Sequence, residues 1–467
     1  MQSTSTPPSA ERAVWGSKLA FIFAAAGSAI GLGNIWGFPT SAALNGGAAF
    51  LVIYLMAVIA IGAPVMLAEL AIGRRTQRNP VGAFRALAPG SAWVAVGGLG
   101  VLAGLVILSF YSVIAGWSLA YVLKAATGTF GEGADTASIF ADLAGSAPNA
   151  LLWHGVFMAI TVYVVVQGVK DGIERWTKIL MPILFVLLLL LIARAVTLSG
   201  AGPGLEFYLR PDFSKVTGFT VLAATGQAFF SLSLGMGAMI TYGSYISKRD
   251  DLVSSALYVT LADTLVAIMA GLIIFPTLFH ASMDPSQSGP GMVFVTLTSL
   301  LTEIPPAPYG GVIFGTMFFL LLAIAGLTSS VSILEVITAY FVDERRTARR
   351  KAAIGIGIAA FVLGIPSALA NGAVSWLTVL PGLGMDFLTF LFVAFGQYAL
   401  VIGALLISLF VGWVWGVRAA GEEVRANDGR FPLGRTWAFL IRFVCPIAIA
   451  ALLVQLVYGL ARAWGAN

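Results

Sequence analysis

The chain of 467 residues contains few of the groups on which enzymes and metal sites depend. A single cysteine, Cys445, excludes an internal disulfide, and two distant histidines, His154 and His280, do not form a metal-ligand motif. A Walker-type phosphate loop is missing, which argues against ATP as the energy source. Clustered histidines or cysteines and paired carboxylates are missing too, so we do not expect an enzyme. Charged residues make up only 10% of the chain, compared with about 25% in a typical soluble domain.

Long apolar segments take the place of these groups. Hydrophobic residues make up 59% of the chain, and its mean hydropathy is +0.93. A transmembrane helix needs about 20 apolar residues. Eleven candidate spans meet this need, numbered here in chain order: 18–43, 48–73, 93–124, 150–169, 174–198, 219–246, 251–279, 308–342, 352–370, 384–416 and 434–464. Residues 1–11 are polar and are predicted to form a short cytoplasmic tail. We predict an all-α integral membrane protein with one transmembrane domain over residues 1–467.

The distribution of basic residues predicts the orientation of the chain. With a cytoplasmic N-terminus and eleven alternating spans, 20 of the 26 Lys and Arg fall on the cytoplasmic side. This is the bias expected of a multi-pass membrane protein, and it puts the C-terminus outside. The net charge of +5 is then a signal of topology, and we do not expect nucleic-acid binding. Arg442 is exceptional because it falls inside the last span.

Two spans are interrupted by glycine at matching places in the two halves of the chain. Span 1 carries Gly27, Gly31 and Gly33, and span 6 carries Gly235 and Gly237. Glycine weakens a helix by about 1 kcal/mol relative to alanine, and unpaired backbone cannot face lipid. The freed backbone groups are therefore predicted to face a ligand inside the protein. Paired breaks of this kind are typical of the binding site of a secondary transporter.

Several sequence runs resemble the neurotransmitter:sodium symporter family over nearly the whole chain. They are Gly-Ser-Ala-Ile-Gly-Leu-Gly-Asn-Ile-Trp at 27–36, Phe38-Pro39, residues 45–48, Glu69, Gly73-Arg74, residues 109–112, residues 227–242 and Ala-Gly-Leu-Thr-Ser-Ser at 325–330. The resemblance implies a LeuT-like fold, in which spans 1–5 (about 18–198) and spans 6–10 (about 219–416) form an inverted repeat. Span 11 (about 434–464) follows, whereas many members have twelve spans. The implied function is sodium-coupled symport of an amino acid by alternating access, in a bacterial inner membrane.

The resemblance also implies a substrate site at the two breaks. The backbone N–H groups near Gly31 and Gly33 suit a carboxylate, and Tyr111 matches the hydroxyl donor to it. Glycine at position 31, where monoamine carriers have aspartate, favours amino acids over monoamines. Two methionines form an adaptable wall, so we expect a large apolar or aromatic amino acid, with Phe230 as a lid. The full predicted set is Ala29, Gly31, Gly33, Ile107, Tyr111, Ile114, Phe230, Ser231, Ser233, Met236, Met239 and Ser329.

The family resemblance also implies two sodium sites. The first is Ala29, Asn34, Ser231 and Asp263, and the second is Gly27, Ile30, Ala325, Thr328 and Ser329. Asp263 lies in an otherwise apolar span, where a charged residue is a functional candidate by default. It supplies the negative charge that chloride supplies in other members. Tyr54 and Gln227 match two chloride ligands, but Ala267 replaces a third, so we predict chloride-independent transport. A proton on Asp263 could return after sodium has left.

The predicted gates agree only partly with the family. Arg12 and Asp343 match the ion pair of the inner gate, and Trp15, Ser244, Tyr245 and Glu335 match its surroundings. At the outer gate Asp386 matches the usual aspartate, but Gly37 replaces the arginine, so the usual ion pair cannot form. Asp386 is then solvated, bonded through water or in contact with the substrate. In span 5, Gly172 and Pro182 suggest either unwinding or a kink without a gating role.

Some alternatives remain open at this level. The same fold could carry another carboxylate or amine, such as an osmolyte or an aromatic acid, or serve as a ligand sensor that does not transport. A channel is disfavoured because rings of repeated polar residues are missing. The sequence does not decide the exact substrate, the number of sodium ions, proton counter-transport or the oligomeric state.

Overall fold

The computed structural model describes residues 13–131, 133–282, 292–302, 309–426 and 431–465, and every regular element among them is helical. Nine described helices are long and apolar enough to cross a membrane. They are span 2 (Ala48–Thr76), span 3 (Val94–Ala126), span 4 (Ala147–Val166), span 5 (Val169–Ala195), span 7 (Leu252–His280), span 8 (Tyr309–Arg345), span 9 (Arg349–Leu369), span 10 (Phe387–Val414) and span 11 (Gly434–Gly459). The all-α membrane class is confirmed.

Span 1 is the tenth candidate and is broken as predicted. Its first half, Lys18–Ala29, is bent by 55° from its second half, Gly33–Leu44. Ser17 begins the span, because its side chain accepts a hydrogen bond from the Ala20 N–H. The Ile30 N–H still bonds to the Ala26 carbonyl, and the chain then leaves the helix for the break.

Span 6 is broken into two helices, Gly218–Ser231 and Ala238–Gly243, neither of which is long enough to cross a bilayer alone. Gly235 and Gly237 carry the chain between them at φ +88° and +81°, a region that glycine adopts without a steric cost. Ser233 also has a positive φ, +53°, which costs a non-glycine residue roughly 1–3 kcal/mol. The broken segment is thus held in place by its surroundings.

Close backbone packing holds the break of span 6. A Cβ on Gly235 would lie 2.1 Å from the Leu400 carbonyl oxygen of span 10, and one on Gly100 of span 3 would lie 2.6 Å from the Met236 carbonyl oxygen. Small residues allow such approach between membrane helices. Glu69 of span 2 is fully buried, and its Oε1 accepts a hydrogen bond of 2.7 Å from the Gly235 N–H. Spans 2, 3 and 10 therefore act as a scaffold for the break.

Span 5 is wound in this conformation. It begins with a π-helical turn, Val169–Glu174, and continues as an α-helix over Arg175–Ala195, which contains Pro182. A Cβ on Gly172 would lie 2.1 Å from the Val164 carbonyl oxygen at the end of span 4. The glycine is thus required for the close approach of spans 4 and 5, whatever its part in unwinding.

Short helices occupy the connections between spans. Those with at least four residues are Pro80–Leu87, Thr136–Ala144, Ala201–Leu209, Met292–Thr296, Leu297–Thr302, Ser375–Thr378 and Val417–Val424. The longest spans are scarcely amphipathic, because one face meets lipid and the other meets apolar neighbours. Buried polar side chains occur along most spans and include Ser28 and Asn34 of span 1 and Ser231 and Ser233 of span 6 at the breaks.

Candidate substrate and ion site

The breaks of spans 1 and 6 meet at a buried cluster of three polar side chains, Asn34, Ser231 and Asp263, each no more than 1% exposed. The Asn34 amide donates to Asp263 Oδ1 over 2.7 Å and to Ser231 Oγ over 2.8 Å. The Ser231 hydroxyl donates to Asp263 Oδ2 over 2.7 Å. The Gly31 N–H donates to Asn34 Oδ1 over 3.0 Å, which ties the cluster to the backbone of the break. Three of the four residues predicted for the first sodium site thus lie together.

The charge of this cluster favours a cation. Both Asp263 oxygens meet neutral donors, and none of the ion pairs in the described part of the chain includes this residue. A buried carboxylate without an opposite charge is costly. The three side chains carry amide, hydroxyl and carboxylate oxygens, and oxygen ligands suit a hard ion such as sodium. No group of three or more His, Cys, Asp or Glu side chains in the described residues could hold a metal of another kind.

Tyr111 reaches the break of span 1 from span 3. Its hydroxyl oxygen accepts a hydrogen bond of 3.0 Å from the Leu32 N–H, so its own proton remains for another acceptor. A Cβ on Gly31 would lie 2.7 Å from this hydroxyl and 3.3 Å from Ser329 Oγ. Glycine is therefore needed at position 31 for Tyr111 and Ser329 to approach the same stretch of backbone. This is the place predicted for the substrate carboxylate.

The carbonyl of Ser28 joins three spans at the second predicted sodium site. It accepts the hydroxyls of Ser329 from span 8 and Ser233 from span 6, each over 3.2 Å. Gly27 packs directly on Thr328, since a Cβ there would lie 3.2 Å from the Thr328 Cβ. The Thr328 hydroxyl bonds to the Ile324 and Ala325 carbonyls of its own helix. Predicted residues of spans 1 and 8 are thus adjacent, and the sequence had not singled out Ser28.

The predicted lid residue, Phe230, lies directly on the second half of span 1. A Cβ on Gly33 would lie 2.7 Å from Phe230 Cε1. The ring makes an edge contact with Phe392 of span 10, at 5.6 Å between centroids, and Phe392 makes another with Phe110 of span 3, at 6.2 Å. These three residues form a chain of rings, the aromatic bridge, from span 6 to the scaffold. The remaining predicted pocket residues are all buried: Ile107, Ile114, Met236 and Met239.

Comparison with known proteins agrees with this architecture. The model of the Sodium:neurotransmitter symporter family matches residues 12–134 and 146–463. This chain belongs to that family.

Relatives of known name point to sodium dependence. The sodium-dependent transporter YhdH of Bacillus subtilis is 39% identical over 451 residues, which cover 95% of this chain and 97% of YhdH. A sodium-dependent transporter of Haemophilus influenzae is 34% identical over 458 residues, which cover 95% and 98% of the two chains. The crystal structure of MhsT in complex with L-phenylalanine superimposes with a TM-score of 0.86 at 45% identity, over 95% of this chain and 100% of MhsT. The protein is thus a sodium-dependent, multi-pass membrane transporter.

The residues predicted for the inner gate pack around Trp15, which is 6% exposed. The Trp15 indole donates to the Tyr242 carbonyl and its backbone N–H donates to the Tyr245 carbonyl, each over 3.1 Å. Tyr245 donates in turn to Glu335 over 2.6 Å, and Glu335 pairs with Arg349 through both carboxylate oxygens. Sequence reasoning identified Glu335 but not Arg349, which follows a charged loop and looks like any other cytoplasmic arginine.

Three further residues were predicted for the inner gate: Arg12, Asp343 and Ser244. Arg12 lies outside the described residues, so its predicted pair with Asp343 stays a prediction. Asp343 accepts hydrogen bonds from the backbone N–H and the side-chain amide of Asn79, over 2.9 and 3.1 Å. The Ser244 hydroxyl donates to the Thr241 carbonyl over 2.6 Å. Asp343 therefore links the end of span 8 to the loop after span 2.

At the outer gate the structure gives Asp386 a local role. Its Oδ1 accepts the Thr389 N–H over 2.9 Å, and its Oδ2 accepts the Thr389 hydroxyl over 2.6 Å, so it caps the start of span 10. A Cβ on Gly37 would approach only Gln227 and Phe230, at 3.8–3.9 Å. The aromatic bridge, and not an ion pair, thus joins the broken helices to span 10.

The two polar residues that match chloride ligands form hydrogen bonds at the breaks of spans 1 and 6. Tyr54 donates to Ser231 Oγ over 3.3 Å, and the Gln227 amide donates to the Gly33 carbonyl over 3.0 Å. Ala267 is fully buried and offers no polar side-chain atom. The nearest built-in negative charge is that of Asp263, which shares the Ser231 hydroxyl with Tyr54.

Proposed function

We propose that the protein is a symporter that couples sodium to the uptake of a large apolar or aromatic amino acid by alternating access, without chloride. The observation that carries this proposal is the buried polar cluster of Asn34, Ser231 and Asp263, with its uncompensated carboxylate, beside the backbone that Tyr111 and Ser329 approach. Cation and carboxylate sites thus share one short stretch of span 1.

Electrostatic attraction would couple the binding of sodium to the binding of the substrate. A sodium ion at the cluster offsets the charge of Asp263, and its remaining attraction favours a substrate carboxylate next to it. The amino group of the substrate would bond to the carbonyls near Ala29, Phe230 and Ser233. Sodium and substrate then increase each other's affinity by the same factor, as thermodynamic linkage requires. The transporter therefore moves the two together.

The substrate class is proposed from the pocket and from a relative. Ile107 and Ile114 lie four residues before and three after Tyr111, on the same face of span 3. Met236 and Met239 supply flexible side chains, and MhsT, which is 45% identical, was crystallised with L-phenylalanine. We propose that phenylalanine, leucine, methionine and tryptophan are preferred over glycine, proline and charged amino acids.

We propose two sodium ions per substrate. The second would bind between Gly27 and Ile30 of span 1 and Ala325, Thr328 and Ser329 of span 8. The Thr328 hydroxyl would have to give up its hydrogen bonds to carbonyls of its own helix in order to contact the ion. Each charge that crosses a potential of about 100 mV yields roughly 2.3 kcal/mol, so two ions can drive steep accumulation.

Asp263 is also proposed to replace chloride and to carry a proton. Its fixed charge lies where other members need an anion, and Ala267 removes one chloride ligand. When sodium leaves inward, a proton can neutralise the buried carboxylate during the return step. The result would be inward movement of sodium and outward movement of protons.

We further propose that the protein lies in a bacterial inner membrane with its N-terminus inside and its C-terminus outside. The positive-inside bias supports this orientation. The inner gate around Trp15 and Glu335 then faces the cytoplasm, and the lid formed by Phe230 faces outward. One amino acid at a time would pass between them.

The test uses purified protein in liposomes with an inward sodium gradient. Uptake of labelled phenylalanine should require sodium, compete with leucine and tryptophan but not with glycine, and persist when gluconate replaces chloride. Internal acidification should speed exchange if a proton returns. Binding that is indifferent to potassium or choline in place of sodium would overturn the proposal, and an osmolyte that outcompetes every amino acid would change the substrate class.

A further inference from the structure

Arg442 is a cation within span 11 that the transport mechanism does not use. It lies in a π-helical turn, Leu440–Val444, eight residues after Gly434 and therefore about 12 Å along the helix axis. Its Nε is buried without a hydrogen-bond partner, and none of the ion pairs in the described part of the chain includes it. A charged side chain at such a depth is costly and marks a functional site by default.

Two aromatic rings fix the position of this guanidinium. Its Cζ lies 4.1 Å from the centroid of the Trp413 ring and 5.6 Å from that of Phe443. The Trp413 indole donates to the Arg442 carbonyl over 3.1 Å, which holds the indole beside span 11. Stacking on rings occupies the faces of a guanidinium but leaves its N–H groups free to bind in its plane. The Arg442 guanidinium is therefore a planar cation whose position is fixed by its neighbours.

The surroundings of this cation face lipid. Trp413 is 53% exposed and Phe443 is 41% exposed, although both lie in membrane-spanning helices. Phe439 and Ile447 extend the exposed apolar surface along span 11. Such a surface suits acyl chains, and a guanidinium fork matches the oxygens of a phosphate.

We propose that Arg442, held by Trp413 and Phe443, binds the phosphate of an anionic phospholipid in the leaflet where span 11 begins. The long arginine side chain can extend towards the headgroups of that leaflet. Arg418 and Arg435 are exposed near the same end of spans 10 and 11 and add attraction for a net negative headgroup. The inference requires only that the chain spans a membrane and is independent of the transported substrate.

Native mass spectrometry of the purified full-length protein, with defined amounts of phosphatidylglycerol and phosphatidylcholine, tests this site. The wild-type protein should retain phosphatidylglycerol preferentially, and Arg442→Gln should weaken that retention by about tenfold, the loss expected for one charge-assisted contact. Arg435→Gln is the matched control, because it removes an exposed arginine of the same span without a ring contact, and it should cause a smaller loss. Arg442→Lys should keep part of the preference, because it keeps the charge but not the fork.

A second measurement locates the bound lipid and keeps the proposal testable if the variant at position 442 does not fold. Brominated phosphatidylglycerol should quench wild-type tryptophan fluorescence more than that of Trp413→Phe, which keeps a ring in place. Millimolar inorganic phosphate should not displace the lipid, and displacement would identify a site for free anions instead. Equal retention of the two lipids, equal losses in the variants at positions 435 and 442, or equal quenching in the wild type and Trp413→Phe would overturn the proposal.

Discussion

Replacing Gly33 by alanine tests whether the lid closes directly on the broken span 1. The new Cβ would lie 2.7 Å from Phe230 Cε1 and 2.9 Å from Cδ1, where carbon atoms pack optimally at about 3.5–4.0 Å. The ring must therefore move by about 1 Å. Overpacking of this kind typically costs about 1–3 kcal/mol. The cost applies to the closed lid, so we expect the substrate to be released about fivefold to hundredfold faster.

The assay is the release of labelled phenylalanine from purified protein in sodium, followed by scintillation proximity. The control is Gly98→Ala in span 3, because a Cβ on Gly98 would meet nothing within 4 Å. Phe230→Leu removes the colliding ring. In the double variant with Gly33→Ala and Phe230→Leu, the free-energy change derived from the release rate should therefore be smaller than the sum for the two single variants. Release at the wild-type rate in Gly33→Ala, or additive effects in the double variant, would refute the close contact. A failure of all variants and of the wild type to bind in sodium would instead refute the proposed substrate.

Three other changes address the ion site, the aromatic bridge and the inner gate. Asp263→Asn should lower sodium-driven uptake in chloride and in gluconate media alike, because the amide lacks the built-in negative charge and Ala267 leaves the chloride ligands incomplete, and comparison of the two media measures this. Phe392→Ala should speed substrate release about twofold to tenfold through loss of ring contacts, whereas Phe390→Ala, at a lipid-exposed position two residues earlier, should not. Glu335→Gln should weaken the inner gate by leaving Arg349 without its ion pair. Faster thiol labelling of a cysteine placed at Ser244 checks this, and an unchanged rate would contradict it.

The breaks could be predicted from the sequence because several local rules agree there. Glycine weakens a helix, a bilayer cannot solvate free backbone, and two glycine-rich runs occur at corresponding places. Asp263 stood out for a similar reason, since a carboxylate is rare in an apolar span. The roles of Tyr111, Ser329 and the methionines came from the family resemblance, and their convergence near Gly31 depends on packing between distant spans.

Phe392 of the aromatic bridge could not be distinguished from a lipid-facing residue in the sequence. Phe390 and Phe392 are two positions apart in an apolar run, yet the first is 36% exposed and the second packs between Phe110 and Phe230. In soluble proteins polar residues mark the outer face of a helix, but in a bilayer both faces are apolar. The π-helical turn of span 10, Phe392–Ala399, also shifts the register of its side chains, which no periodic pattern shows. Ser28 was missed because its contacts with spans 6 and 8 at the second predicted sodium site are made by its carbonyl, which every residue carries.

The loss of the outer arginine makes the two gates physically different. The predicted inner gate includes the pair Glu335–Arg349, in which Glu335 is fully buried and Arg349 is 25% exposed, so separating the pair would leave the Glu335 charge to be solvated. The outer lid is held by ring contacts of Phe230 and Phe392, which need no solvation of charge when they separate. The carboxylate in the polar cluster of the broken helices is Asp263, which accepts a hydrogen bond from Ser231, the residue after Phe230. In the proposed mechanism, a cation bound there would neutralise this charge and favour closure of the apolar rings, and its departure towards the inner side would restore the charge. In this way one carboxylate can bias both the ion site and an uncharged gate, and a second charged pair at Gly37 and Asp386 is unnecessary.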